Sequence, residues 1–168
     1  MKKTIIDLFE DSVVKYGAKT FLLEKKHRAF EPTTYAETRE QALETGAGLA
    51  AAGIRPGDKV AILSEGCNAW ITSELGVFYA GAVSVPLSVK LEESNDLLFR
   101  MRHAEVRALF VSKYQLSKIR RIRAELPQVE HIIVIGHIPL EAGETALGTL
   151  RRMGRDLSLI HISEPTRH

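Results

Sequence analysis

The sequence predicts an α/β fold with a mainly parallel sheet and flanking helices, and three observations carry that prediction. Apolar runs of strand length recur in the middle of the chain, at residues 59–64, 83–87, 107–112 and 131–136. Segments with a helical apolar period separate them, at residues 68–80, 93–103 and 115–126. The turns between these segments are short, as at Pro56-Gly57-Asp58 and Gly81-Ala82. Strands that alternate with helices require right-handed crossovers, which make successive strands parallel and cover both faces of the sheet.

The amino-terminal part predicts two helices and a hairpin. Residues 4–16 form an amphipathic pattern that ends at Gly17, and residues 20–25 and 28–31 predict two short strands that stop at Pro32. Thr34 and Glu37 have the spacing of a capping box, in which each side chain satisfies a free amide at a helix start. We therefore expect a helix from there to Gly53, a residue typical of a left-handed C-terminal cap.

Glycines in this helix do not predict a nucleotide site. Gly46 and Gly48 lie inside the helix and Gly53 lies at its end. A dinucleotide-binding glycine loop lies instead between a strand and the start of a helix. The dinucleotide interpretation is therefore rejected.

The carboxy-terminal part divides the chain into residues 1–156 and a tail of residues 157–168. Pro139 and Gly143 mark a loop, and residues 145–153 predict one more short helix, closed by Gly154. Residues 157–168 show no period that continues this helix, and they resemble the translated end of a transposase adapter used in sequencing libraries. We expect that tail to be foreign to the native protein, the alternative being a short native strand.

Length and composition indicate one domain of a soluble, cytoplasmic protein. The chain has 168 residues, 45% of them hydrophobic, which suffices for one globular core. A formal net charge of +2 without a long basic run argues against a nucleic-acid partner. No apolar window has the length of a membrane span, and Asp7 interrupts the stretch that a signal peptide would need. The single cysteine, Cys67, excludes an intramolecular disulfide and fits a reducing compartment.

The densest basic stretch, residues 113–123, has the pattern of a helix with one solvated face. Its Lys118 and Arg120 alternate with Ile119 and Ile122 at helical spacing. We interpret the basic residues as exposed to solvent rather than as a phosphate-binding patch.

The sequence contains no recognisable catalytic, cofactor-binding or metal-binding residues. Two metal-binding histidines on one helix lie three or four residues apart. No such pairing is found for His27, His103, His131 and His137. Cys67 precedes a predicted helix but has no base placed near it, so a structural thiol is preferred over a reactive one. Trp70 could stack on a ligand, yet its apolar neighbours favour a place in the core.

Several segments together resemble the start of the adenylate-forming family, which includes acyl-coenzyme A (CoA) synthetases. Residues 75–87, Leu-Gly-Val-Phe-Tyr-Ala-Gly-Ala-Val-Ser-Val-Pro-Leu, are similar to the family's Leu-Gly-x-x-x-Ala-Gly-Ala-Val-x-Val-Pro-Leu. Residues 53–62, Gly-Ile-Arg-Pro-Gly-Asp-Lys-Val-Ala-Ile, are similar to its Gly-Ile-x-x-Gly-Asp-x-Val-Ala-Ile. Residues 34–37, Thr-Tyr-Ala-Glu, resemble its opening helix motif, and residues 108–111 resemble a later strand. One departure occurs at residues 68–70, Asn-Ala-Trp, where the family has a Glu before the Trp.

The resemblance implies the amino-terminal subdomain of an AMP-forming, fatty-acid-type CoA ligase. Such enzymes use ATP, Mg and CoA to convert a carboxylic acid to an acyl-adenylate and then to a thioester. The family's Ser/Thr/Gly-rich phosphate loop ending in Pro-Lys-Gly and its later motifs have no counterpart in residues 1–168. The resemblance therefore implies an inactive piece whose main partner is the remainder of its own chain, and that remainder would cover apolar surface exposed here.

Two alternatives belong to other functional classes. A stand-alone flavodoxin-like or receiver-like binding module would share the α/β pattern, but a receiver needs an acidic cluster after its early strands, where this chain has Glu65 alone. A natural short paralogue that regulates or assembles with a ligase is the other alternative. The acid that is activated and the oligomeric state are not encoded in any motif found here.

Overall fold

The computed structural model describes residues 2–163, with side chains as far as Ser158. Six helices are seen in this range: α1 Ile5–Tyr16, α2 Tyr35–Ala51, α3 Asn68–Tyr79, α4 Ser94–His103, α5 Leu116–Ile122 and α6 Leu147–Ser163. Seven strands accompany them: β1 Thr20–Lys26, β2 Ala29–Thr34, β3 Lys59–Leu63, β4 Val83–Pro86, β5 Val106–Ser112, β6 His131–Ile135 and β7 Glu144–Ala146. A short 3-10 turn, Arg123–Glu125, follows α5.

A five-stranded parallel sheet in the order β4-β3-β5-β6-β7 forms the centre of the molecule, which confirms the predicted α/β class. In β3, Ile62 pairs with Pro86 of β4 on one side and with Phe110 of β5 on the other. Residues of β3 alternate between two buried clusters, Val60 and Ile62 in one, Ala61 and Leu63 in the other. The sheet is therefore buried on both faces, as its uninterrupted apolar strands predict.

Different helices cover the two faces. One cluster contains residues of α4 and α5, for example Met101 and Ile119. The other contains residues of α2, α3 and α6, for example Leu49, Val77 and Leu150. Among residues 2–163, no helix is both long and apolar enough to cross a membrane.

Helix starts follow local sequence signals closely. The predicted capping box is present at α2, where Thr34 accepts from the Glu37 amide and the Glu37 carboxylate accepts from the Thr34 amide. A second one begins α1, with Thr4 and Asp7 in the same roles. Gly53 has the left-handed conformation expected after the end of α2, with a φ of 95°.

The predicted end of the hairpin at Pro32 is wrong. Strand β2 continues through Pro32 to Thr34, and Pro32 pairs with Leu23 of β1. The hairpin is a separate two-stranded sheet, so each strand has one free edge. A proline is tolerated on such an edge because its missing amide need not serve a neighbouring strand.

Helix α2 lies between α3 and α6 at distances that glycine alone permits. A Cβ at Gly48 would lie 2.2 Å from the Leu150 carbonyl oxygen, and one at Gly154 would lie 2.0 Å from the Glu44 carbonyl oxygen. On the other side, a Cβ at Gly76 would lie 2.8 Å from the Thr45 side chain. Gly46 and Gly48 inside α2 therefore serve close helix packing.

The predicted ending of the last helix at Gly154 is also wrong. Residues 144–146 form β7, and α6 then continues past Gly154 to Ser163. Gly154 is buried against α2, and this contact explains a glycine in the middle of a helix. The expected tail, residues 157–168, thus begins within α6, and residues 164–168 lie outside the described part. Whether the tail is foreign stays a prediction.

Substitution of Gly154 by Ala should destabilise the chain. The added methyl group must displace the α2 backbone, and overpacking of this kind costs about 1–3 kcal/mol of unfolding free energy. Gly148→Ala, in the same helix, is the control because its Cβ would meet nothing within 4 Å. The control should leave stability unchanged or raise it by up to about 1 kcal/mol. Urea unfolding followed by circular dichroism measures both, and equal effects would contradict the close contact.

Candidate functional site at the carboxyl edge of the sheet

The topology marks one place on the sheet as the candidate site. All five strands are parallel, so their carboxyl ends share one edge. From β3 the chain passes through α3 to β4 on one side, and from β5 it passes through α5 to β6 on the other. The point where successive connections leave in opposite directions is the topological switch point of the sheet. Ligands of open α/β sheets bind there, outside the carboxyl ends of the strands. The crevice between the ends of β3 and β5 is therefore the candidate site.

Polar side chains from the two strand ends meet there. Glu65, two residues after β3, accepts a short hydrogen bond from the side-chain amide of Gln115, which precedes α5. Ser64 donates to the Glu65 carbonyl oxygen at 2.9 Å, and its Oγ lies 3.9 Å from the Cys67 sulfur. The Gln115 amide nitrogen of the main chain donates to the Ser112 carbonyl oxygen at 3.0 Å. These contacts fix the two loops relative to each other.

Glu65 is held in its ionised form. Burial works to raise the pKa of its carboxyl group, but the Gln115 amide, the nearby Ser112 hydroxyl and the charge of Lys118 together outweigh burial and lower that pKa. The Ser112 hydroxyl acts on the Glu65 carboxylate as a nearby dipole, because its geometry does not meet the criteria of a hydrogen bond. The site thus presents a negative charge at neutral pH.

Two buried polar atoms in this cluster have no hydrogen-bond partner among the described residues. They are Ser112 Oγ and Gln115 Oε1. Buried polar atoms are nearly always satisfied in native proteins, by protein, water or ligand. The cluster can therefore accept further hydrogen bonds, either from water or from a bound group.

Lys118 of α5 fixes the loop that follows β4 at the same edge. Its ammonium group donates to the carbonyl oxygens of Val89 and Leu91, at 2.8 and 3.1 Å, and to the Glu92 carboxylate at 3.0 Å. Only 10% of the Lys118 side chain is exposed. The prediction of a solvated basic face is therefore wrong at this residue. Helical spacing places Lys118 beside Ile119 and Ile122, but the loop that covers it comes from a distant part of the sequence.

Arg120, from the same basic stretch, is engaged too. It forms two hydrogen bonds of 2.8 Å with the Glu144 carboxylate, whose side chain is 3% exposed. Arg120 also lowers the pKa of Glu144, as an adjacent cation does. Lys118 and Arg120 thus hold loops in place, whereas Arg121 of the same stretch is exposed as predicted.

Comparison with known proteins decides the family. A profile of the AMP-binding enzyme family matches residues 9–159 of the chain. The chain belongs to the AMP-binding enzyme family.

Individual members of the AMP-binding family agree in sequence and in fold. A long-chain-fatty-acid–CoA ligase of Thermus thermophilus is 26% identical over 158 residues, covering 94% of this chain and 28% of the relative. A crotonobetaine/carnitine–CoA ligase of Salmonella paratyphi A is 29% identical over 149 residues, covering 86% of this chain and 28% of the relative. The crystal structure of an anthranilate CoA ligase with anthranoyl-AMP superposes with a TM-score of 0.80 and 28% identity, covering 88% of this chain and 27% of that one.

This AMP-binding chain is short beside its relatives. It covers 15–28% of the length of four curated relatives, which are long-chain-fatty-acid ligases, an acyl-activating enzyme and a carnitine-type ligase. The carboxyl edge, as described here, is thus only part of the surface that a whole member of the family presents.

The described residues do not by themselves fit ATP and Mg. Within residues 2–163, no three His, Cys, Asp or Glu side chains gather as they would around a metal ion. The candidate site offers the Glu65 carboxylate, and the ammonium group of Lys118, whose charge acts on it, is committed to the loop after β4. A triphosphate needs several donors and a cation, and its Mg needs oxygen ligands. The described residues at this edge can position a ligand group, and they do not form a complete site for a triphosphate and its Mg.

Other residues singled out in the sequence have structural places. Trp70 is partly buried against the cluster that contains Val60 and Ile62, which supports the core interpretation. Cys67 precedes α3, and its sulfur lies 3.9 Å from the Ser64 hydroxyl oxygen. The contact between Glu65 and Gln115 was not predicted, although both follow predicted strands whose ends must share one edge.

The Glu65→Gln variant should lose part of the acid sensitivity of the folded chain. Because the folded-state pKa of Glu65 lies below its ordinary 4.5, ionised Glu65 stabilises the fold above that pH. This contribution is lost as the pH falls through the lowered folded-state value. Urea unfolding at a series of pH values should show that the free energy of unfolding of the wild type exceeds that of the variant above pH 4.5 and that this difference shrinks below it. Glu125→Gln, at an exposed site, serves as control, and parallel wild-type and Glu65→Gln profiles would refute the assignment.

Replacement of Lys118 by Met should destabilise the loop after β4. The change leaves the Val89 and Leu91 carbonyl oxygens without their donor, which costs about 2–4 kcal/mol. Lys90→Met, exposed in the same loop, should change stability by less than about 0.5 kcal/mol. Unfolding free energies and limited proteolysis of residues 87–93 measure the two variants. A neutral Lys118→Met would show that this lysine does not hold the loop.

Proposed function

We propose that this chain is the amino-terminal part of an AMP-forming acyl-CoA ligase. In the complete protein a carboxylate attacks the α-phosphate of ATP to give an acyl-adenylate and pyrophosphate. The CoA thiol then displaces AMP to give the thioester. The observation that carries the proposal is the family match over residues 9–159, supported by relatives and neighbours that are acid–thiol ligases.

The proposed substrate is a fatty acid, and the setting is the cytoplasm. The Thermus thermophilus relative that spans 94% of this chain acts on long-chain fatty acids. Another relative of comparable identity, the Salmonella paratyphi A ligase, acts on crotonobetaine or carnitine. The two relatives therefore share the acid–CoA ligase activity and differ in the acid, so the fatty acid is the more specific half of the proposal.

The chain of 168 residues is proposed to be inactive alone. Its carboxyl edge contributes a negative charge and two free acceptors, while the donors that stabilise a phosphoryl transition state would come from later sequence. Residues 1–156 are proposed to be native, and residues 157–168 to derive from an adapter.

Exposed apolar surface away from the carboxyl edge supports the proposal that the complete protein contains later sequence. A groove of about 490 Å³ lies between α2 and α6, and another of about 450 Å³ lies among α1, β1 and α3. The second is lined by Ile5 and Leu8, which are 59% and 55% exposed. We propose that later sequence covers this second groove in the complete protein, since apolar surface in such a groove is usually covered.

Recovery of the gene beyond codon 156, followed by an activity assay, tests the proposal. The complete protein should catalyse ATP–pyrophosphate exchange that depends on added carboxylic acid, with fatty acids of several lengths compared against short acids. The 168-residue chain, assayed in parallel, should show none. A genomic stop codon directly after His168 would instead support a stand-alone binding or regulatory module. ATP–pyrophosphate exchange with short acids alone would support the ligase assignment but refute a fatty acid as the substrate.

A further inference from the structure

The β1–β2 hairpin has a fixed inner face. Glu24 accepts a hydrogen bond of 3.0 Å from the Asn68 main-chain amide at the start of α3. The Asn68 side chain in turn donates to the Thr33 hydroxyl at 3.4 Å. Glu24 and Thr33 therefore face the body of the domain. Since side chains alternate along a strand, their neighbours Leu23, Lys25 and Pro32 point the other way.

The opposite side of the hairpin, here called the outer hairpin face, consists of Leu23, Lys25, Phe30 and Pro32. Register confirms this grouping, because Leu23 pairs with Pro32 and Lys25 with Phe30, and directly opposed residues share a face. Leu23 is 61% exposed and Phe30 is 65% exposed. Two large apolar side chains thus stand in solvent on a two-stranded projection.

Basic residues surround these apolar side chains. The turn carries Lys25, Lys26, His27 and Arg28 in succession. Lys26 is paired with Glu31 at 3.1 Å, and Glu24 is turned inward to α3. Lys25 and Arg28 form no ion pair within the part of the chain that the structure describes. The tip of the hairpin therefore presents positive charge next to Phe30.

We propose that the outer hairpin face docks on the surface of an anionic lipid bilayer. Apolar side chains beside unpaired cations match the two layers of such a surface, the acyl region and the charged headgroups. The residues lie on a projecting tip rather than in a groove, and fluid lipid accommodates a tip without a complementary cavity. An acidic protein partner would need such a cavity to bury Phe30 and Leu23.

Docking on a bilayer would bring the proposed ligase to its substrate, and this role of the docking rests on the proposed function. A fatty acid partitions into bilayers, so a ligase held at the surface meets its substrate where the substrate is concentrated. The docking itself is measured without catalysis, so its failure is distinct from failure of the ligase assignment.

Vesicle sedimentation tests the docking on the protein expressed from the complete open reading frame, whichever length that frame has. Vesicles of phosphatidylcholine alone are compared with vesicles that also contain phosphatidylglycerol, at low and high salt. The protein should bind the anionic vesicles, bind neutral ones much less, and dissociate at high salt. Neutralising two basic residues, as in the double variant Lys25→Gln and Arg28→Gln, should weaken binding roughly 25-fold, since each contributes roughly fivefold.

Phe30→Ser tests the apolar part, and Phe99→Ser is its matched control. Phe99 of α4 is also 65% exposed but lies on a different element. Phe30→Ser should weaken vesicle binding several-fold while Phe99→Ser leaves it unchanged. Equal losses for the two variants, equal binding to both kinds of vesicle, or no binding at all would overturn the proposal. Hydroxyl-radical footprinting adds an independent readout: protection of Phe30 without vesicles would show that protein, either its own later sequence or a second copy, covers this face.

Discussion

Burial of β3 and β5 on both faces is the constraint on which the rest of the structure depends. Val60, Ile62, Leu109 and Phe110 are completely buried, so helices must cover both sides of the sheet. A parallel sheet cannot be built from hairpins, and the crossovers that lead from β3 to β4, from β4 to β5 and from β5 to β6 therefore carry the helices α3, α4 and α5. The same connections bring the carboxyl ends of all five strands to one edge, which is how a core requirement produces a candidate site.

Close approach of helices is the second requirement. Helix α2 has to pass between α3 and α6 while all three rest on the same face of the sheet. Glycines at the crossing points shorten the distance between backbones, at some loss of intrinsic helix propensity. That loss is offset by the apolar packing of α2, α3 and α6 on the sheet. The same interface buries Arg151, which donates to Thr45 and Thr72 at 3.1 and 2.7 Å. Burial lowers the pKa of the Arg151 guanidinium.

The carboxyl edge combines rigid and unsatisfied parts. Lys118 and the pair Glu65–Gln115 hold three loops at this edge, while Ser112 Oγ and Gln115 Oε1 retain hydrogen-bonding capacity. Loops held by buried polar contacts keep a fixed geometry, and such geometry favours ligand positioning over induced closure. A role in positioning a ligand group is consistent with the proposed assignment to a ligase.

The sequence by itself determined the α/β class, the four strands and three helices that alternate between residues 59 and 136, and the capping box at Thr34 and Glu37, because periodicity and capping are local. It did not determine the path of the chain at Pro32 or Gly154. A proline ends a strand only where a neighbouring strand needs its amide, and a glycine can lie inside a helix where another helix packs closely against it. Tertiary structure alone decided that Lys118 is buried, that Gln115 meets Glu65, and which face of the hairpin carries Phe30. Each of those outcomes depends on residues distant in sequence, which no local pattern brings together.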